Sequence, residues 1–428
     1  MTNQPKRNIA PPIQEIESFT ILEPDFYKLS NGVEVFAFNN PNQELLKIDL
    51  IFEAGGSKVA KPIIAATVNG MLTEVTKNYT SAQLAEMTDF YGSYFDTNVT
   101  PDYGSITLYS LHRFLENTLP VLAEVIYNAS FNQIELDAFI ARTKQEFMVN
   151  SEKVSFIARQ QFVPLLFGYQ HPYGRNTSLS DFDLIDRQTL IQFHQDNYLE
   201  GKLKIFVAGP FGKLELALLE TYFGQKIIRE SASSIYEKWD HNPAKEKIVK
   251  IEKENTVQTA LRMGFVSMHK PHEDYAGMRI LSTILGGYFG SRLMNNIRED
   301  KGFTYGIGSA LSSFKHETVF FIATELKTKV VQLAIEEIFK EINLLRNEPI
   351  CDEELYLVKN YLQGSFQRSF DGTFDQLDRF IEIQMNGLDY GYYHRYIQEV
   401  KAITPDKIRQ LAQKYLVPEN IYILTVGN

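Results

Sequence analysis

Apolar and polar positions alternate along this chain in one order that occurs twice. Residues 47–52, Lys-Ile-Asp-Leu-Ile-Phe, alternate with period two and predict a strand with one buried face. An apolar run at helical spacing follows over 63–72. In the second half, 260–266 has the strand pattern and 275–285 the helical one. The predicted strand ends, Phe52 and Phe265, lie 213 positions apart. Each half continues with another helix, an extended segment (106–111 and 320–326) and a further helix (115–126 and 330–342).

The two halves also close alike. A helix opens at Ile185-Asp186 and reaches Tyr198, and a strand follows over 204–209. Another opens at Ile403-Thr404-Pro405 and reaches Tyr415, with a strand over 421–427. Asp186 and Thr404 have the side-chain oxygens that cap free N–H groups, and Pro405 suits a first helical position. These endings differ by 218 positions, close to the offset at the beginnings. The expected fold is α+β: two homologous domains, each a mostly antiparallel sheet with helices packed on it. The expected limits are residues 1–228 and 246–428, joined by a polar, aperiodic linker over 229–245.

Composition narrows the function without naming it. A formal net charge of -10 argues against nucleic-acid binding, which needs a basic face to neutralise phosphates. The single cysteine, Cys351, rules out an intrachain disulfide and a thiolate cluster and fits a reducing compartment. Residues 1–12 are polar, with Lys6 and Arg7 but no apolar stretch behind them, so no signal peptide is expected. No run approaches the ~18 apolar residues of a membrane span. A cytoplasmic location is expected, with periplasmic the alternative.

The most distinctive local sequence is 285–305, Leu-Gly-Gly-Tyr-Phe-Gly-Ser-Arg-Leu-Met-Asn-Asn-Ile-Arg-Glu-Asp-Lys-Gly-Phe-Thr-Tyr. Its glycines predict a turn, the run from Ser291 a helix, and Gly302 the residue that ends it. This segment resembles the C-terminal-half signature of the insulinase/pitrilysin zinc peptidases, a family that includes mitochondrial processing peptidase. Residues 27–35 resemble the family's opening strand pair, and Gln-His-Pro-Tyr-Gly at 170–174 resembles one of its loops. The likeness runs from about Tyr27 to Gly427.

Active members carry an inverted zinc motif, H-x-x-E-H, on the first helix. Histidines at i and i+4 share one helix face and both reach the metal, while the Glu acts as general base. Anchored on 71–80, which resembles the family's continuation, the motif falls on Ala66-Thr67-Val68-Asn69-Gly70. Neither histidine nor the base is present. The third family ligand, a Glu 76 residues after the second histidine, corresponds to Glu146. One carboxylate does not hold zinc, so no catalytic metal is expected in this chain. His269 and His272 flank Pro271 and read as a loop; His112 and Glu116 read as solvated. His171, His194, His241, His316 and His394 have no partners at ligand spacing in the sequence. No G-x-S-x-G occurs, and Cys351 has no basic neighbour.

The resemblance implies a different role for the second half. Active members use an Arg and a Tyr seven residues apart to bind substrate and stabilise the tetrahedral intermediate; here these correspond to Arg298 and Tyr305. An edge strand of the first half pairs with the substrate backbone in the family and corresponds to 92–100, with Asp96, Thr97 and Asn98 at its centre. The family usually has Asn-Ala where Asp96-Thr97 stands. The expected function is therefore the non-metal-binding subunit of a heterodimeric zinc peptidase, inactive alone. Its homologous partner would hold the zinc, and peptides or unfolded segments would be the substrates. The alternative is a catalytically inactive structural or peptide-binding protein of the same fold.

Overall fold

A computed structural model describes residues 21–225 and 239–428. The first half runs β1 (Asp25–Lys28), β2 (Glu34–Asn39), β3 (Leu45–Phe52), α1 (Ile63–Met71), α2 (Ser81–Phe90), β4 (Tyr94–Val99), β5 (Gly104–Leu111), α3 (Leu115–Tyr127), α4 (Gln133–Ser151), α5 (Val154–Phe167), α6 (Arg187–His194), β6 (Leu203–Gly209) and α7 (Lys213–Phe223). The second runs β7 (Ile248–Glu252), β8 (Gln258–Ser267), α8 (Tyr275–Ser282), β9 (Ile307–Ser313), β10 (Thr318–Lys327), α9 (Val331–Asn347), α10 (Asp352–Arg368), α11 (Thr373–Met385), α12 (Tyr392–Ala402), α13 (Pro405–Tyr415) and β11 (Tyr422–Gly427).

The duplicated pattern becomes duplicated topology. The first sheet has the order β1-β2-β6-β3-β5-β4 and the second β7-β11-β8-β10-β9. Without β1 they correspond strand for strand in order and direction: β2 pairs β6 in parallel as β7 pairs β11, and the other pairs in both sheets are antiparallel. The α+β fold expected from the sequence is present. Asp186 caps α6 by accepting from Thr189 N–H at 2.9 Å, and Thr404 caps α13 by accepting from Lys407 N–H at 3.2 Å. Of the expected linker, residues 229–238 lie outside the described residues. Asn242 and Ala244 beyond them donate to the carbonyls of Phe167 and Leu165 at the end of α5.

The halves exchange helices. One face of each sheet carries its own helices, while the other face is covered from the opposite half. α5 lies against β8 and β11, and α11 lies against β2 and β6, where the Phe380 ring sits 5.1 Å from Phe36 and 5.7 Å from Phe38. This exchange corrects the reading of β3 as half-buried. Lys47 and Asp49, its polar positions, are 5% and 6% exposed because α11 covers them. Lys47 Nζ reaches Asp378 on α11 at 2.5 Å and Asp49 at 3.5 Å, and Thr107 donates to Asp49. Burial raises the Asp49 carboxyl pKa even though Lys47 and Thr107 oppose the shift.

Candidate functional site

The helix onto which the resemblance places the zinc motif is held by packing and hydrogen bonds. Asn69 is 2% exposed and its amide donates to Ser105 O at 3.1 Å and to Tyr198 Oη at 3.0 Å, tying α1 to β5 and to the turn after α6. The phenol therefore donates elsewhere or not at all, and no general base occupies this position. Gly70 faces the ring of Phe139 on α4, and a Cβ placed there would lie 2.6 Å from Phe139 Cζ. The neighbouring turn is tied by Arg142 of α4 to Glu74. Ala66 is exposed on α1, and Glu146 is exposed on α4. Among the described residues, neither Glu146 nor any residue of 66–70 belongs to a cluster of three metal-capable side chains.

The edge strand is available for pairing. β4 ends its sheet and bonds only to β5, with Asp96, Thr97 and Asn98 opposite Thr107, Ile106 and Ser105. Its free side therefore offers a row of main-chain donors and acceptors to an extended peptide.

The segment 285–305 is anchored on one side and bare on the other. A Cβ on Gly286 would meet Ser309 N at 2.6 Å, so the glycine lets the turn press against β9. The helical turn Met294–Asp300 follows, and Arg298 lies in its last turn. Arg292 grips Glu354 of α10 with two bonds of 2.8 and 2.7 Å, and Asn296 donates to Glu337 and Glu341 of α9 at 2.9 and 2.7 Å. Gly302, at φ +63°, ends the helix by donating to Arg298 O, as expected of a residue in the left-handed region. Arg298 itself lies over the Phe289 ring at 4.8 Å and pairs with Glu299 at 2.6 Å.

Tyr305 stands just before β9, which begins at Ile307. A network of hydroxyls fixes its turn: Thr304 Oγ1 reaches Glu325 O at 2.8 Å, Gly306 N–H donates to Thr304 Oγ1 at 3.1 Å, and Thr324 donates to Gly306 O at 2.8 Å. The phenol that this turn carries is 92% exposed. It overhangs a cleft of about 400 Å³ between α5 and the strands β8 and β10, where Arg262 and Glu325 supply charge. Arg298 and β4 lie outside that cleft's lining.

One constellation was not visible in the sequence. His171, His241 and Glu317 each place a ligand-capable atom within 4.8 Å of the others, although they come from three distant parts of the chain. Two other histidines have ordinary partners. His112 bonds Glu215 at 2.7 Å rather than Glu116, and His272 accepts from Asp274 N–H in a loop.

Comparison with known proteins places this geometry. Residues 184–362 match the family model described as peptidase M16 inactive domain. Over that stretch the chain is similar to the M16 peptidases. The insulinase/pitrilysin likeness read from its motifs is thereby borne out. The M16-like chain is 23% identical to the uncharacterized zinc protease YmxG of Bacillus subtilis over 394 residues, which is 91% of this chain and 94% of that protein. Its fold matches a peptidase M16 inactive domain from Pseudomonas fluorescens with a TM-score of 0.82 and 21% identity, over 95% of this chain and 98% of that one. It also matches a protease from Helicobacter pylori with a TM-score of 0.86 and 16% identity, over 95% and 100% of the two chains. Among the described residues no helix is long and apolar enough to cross a membrane.

Proposed function

We propose that this M16-like chain is the non-zinc-binding subunit of a two-chain zinc peptidase. Residues 1–228 and 246–428 would form its two homologous domains, and its homologous partner would hold the metal. Arg298 and Tyr305 would meet the substrate carbonyl at the partner's zinc, donating to the oxygen as it gains charge. Asp96, Thr97 and Asn98 would contribute main-chain bonds to the peptide. The observation that carries this reading is the contrast between the two halves. The motif helix has been filled with Phe139 and hydrogen-bonded through Asn69, whereas Tyr305 stands almost fully exposed on a turn held by four polar contacts of its neighbours. An exposed aromatic on a rigid base suits a group that acts on a second molecule. A reducing, cytoplasmic setting goes with the single cysteine, Cys351.

A second reading, a peptide-holding protein without chemistry, draws support from the open edge of β4 and from the match to an inactive domain. Co-expression with a zinc-bearing homologue distinguishes the two. On the subunit reading, the pair cleaves peptides and chelation stops it, while this chain alone is inert. Cleavage by this chain alone would end the proposal, and a stable pair without turnover would favour the peptide-holding role.

A further inference from the structure

We propose that His171, His241 and Glu317 form a zinc site, separate from the erased peptidase motif, that clips together three segments at the seam between the halves. His171 lies in the loop after α5, His241 in the segment leading to β7, and Glu317 in the hairpin between β9 and β10. Their ligand-capable atoms lie within 4.8 Å of one another, and His241 Nε2 is already 3.0 Å from Glu317 Oε1. Two ligands of a tetrahedral ion with metal–ligand bonds of about 2.0–2.1 Å sit roughly 3.3 Å apart, so that pair is near bonding geometry. Two imidazoles and one carboxylate leave a fourth position for water, and that donor set suits zinc.

A second observation points to a ligand. His171 is 3% exposed, and its Nε2 is buried without a hydrogen-bond partner. Such orphaned groups are costly, because burial removes water and nothing replaces it. The ring is held rigidly, stacked on Phe167 at 4.7 Å and edge-on to Trp239 at 5.4 Å. Burial, with His241 and Arg175 nearby, keeps it neutral, the form a metal takes.

Binding exacts one change. His171 Nδ1 accepts from Tyr173 N–H at 3.1 Å, which puts the ring proton on Nε2. With zinc on Nε2 the ring carries its proton on Nδ1, and Tyr173 N–H loses its acceptor. One neutral hydrogen bond is small beside three metal–ligand bonds. The proposal therefore carries its own signature: zinc should speed hydrogen exchange at the Tyr173 amide while raising the melting temperature of the whole chain.

The test uses the full chain, stripped with chelator and titrated with zinc chloride against a competing indicator. Trp239 is the chain's only tryptophan and lies beside His171, so cobalt chloride gives a parallel readout through quenching of its fluorescence. Because His171→Ala could unfold the buried loop, the variants are His241→Ala and Glu317→Gln, at less enclosed positions. One zinc per chain is expected, with each variant weakening binding by more than the roughly 10–100-fold that loss of a ligand's outer hydrogen-bond partner costs. Wild-type binding no tighter than that of the double variant, or no cobalt quenching of Trp239 together with no zinc-dependent change in Tyr173 exchange and melting, would show that the gap holds only water and overturn the proposal. None of these readouts needs peptidase activity, so failure here is distinct from failure of the subunit reading.

Discussion

The ring of Phe139 on α4 occupies the space into which any side chain at Gly70 would grow, 2.6 Å from where its Cβ would stand. The position that the resemblance assigns to a second zinc-binding histidine is therefore already taken by packing. The volume that a second histidine needs is part of the hydrophobic core.

Rebuilding the motif should consequently fail on packing before it fails on chemistry. In Ala66→His/Asn69→Glu/Gly70→His, overpacking against Phe139 costs about 1–3 kcal/mol, and losing the Asn69 bonds to Ser105 and Tyr198 costs about 1–3 kcal/mol more. Chemical denaturation should show that loss, with zinc content no higher than in the parent. Phe139→Ala should offset part of it only in the Gly70→His background, a coupling that a double-mutant cycle measures. Additive losses, or a second equivalent of zinc in the triple variant, would contradict this account.

The Thr304 network should matter to Tyr305 more than to the fold. Thr304→Val removes the bond to Glu325 O and the acceptor for Gly306 N–H, at a stability cost of about 1–2 kcal/mol. In an assembled pair, turnover should fall while peptide affinity changes little. Loss of affinity with unchanged turnover would show that the turn serves binding alone.

Lys47 sits between two carboxylates under α11. Lys47→Ala leaves Asp49 buried without its countercharge and should cost about 3–5 kcal/mol. Lys47→Met with Asp49→Leu removes both charges and should recover most of that loss. Urea unfolding of the three proteins checks the order; equal stability of the single and double variants would show that α11 does not depend on the pair.

Acid should loosen the seam between the halves. Burial holds the His171 pKa down to about 4, with help from His241 and Arg175, below the ordinary value near 6.5 of the unfolded chain. The unfolded state therefore takes up this proton first. Stability present above pH 6.5 falls as the pH drops toward 4, by up to about 3 kcal/mol from this group. Metal-free protein should show that slope in melting temperature, and His171→Gln, where it folds, should flatten it.

What the sequence disclosed and what it hid separate by range along the chain. The duplication, the caps at Asp186 and Thr404 and the helix end at Gly302 are local, and short-range pattern was enough for each. The turn that carries Tyr305 two residues before β9 was hidden, because it depends on Thr324, which is distant in sequence, as well as on Thr304 and Gly306. Lys47 and Asp49 looked solvent-facing because the helix that buries them lies more than 300 residues away. His171, His241 and Glu317 have no common spacing, so only the packing of both halves brings them together. Phe139 gave no sign that it packs against position 70; the sole clue was glycine, rather than a bulkier residue, there.

The most direct measurement of the central claim is turnover of a pair assembled from a zinc-bearing homologue and this chain with Arg298→Ala or Tyr305→Phe. Each substitution should leave assembly and the partner's zinc content unchanged and cut turnover by about 10²-fold or more, the loss typical of a missing oxyanion donor. Full turnover by either variant pair, or chelator-sensitive cleavage by this chain alone, would contradict it.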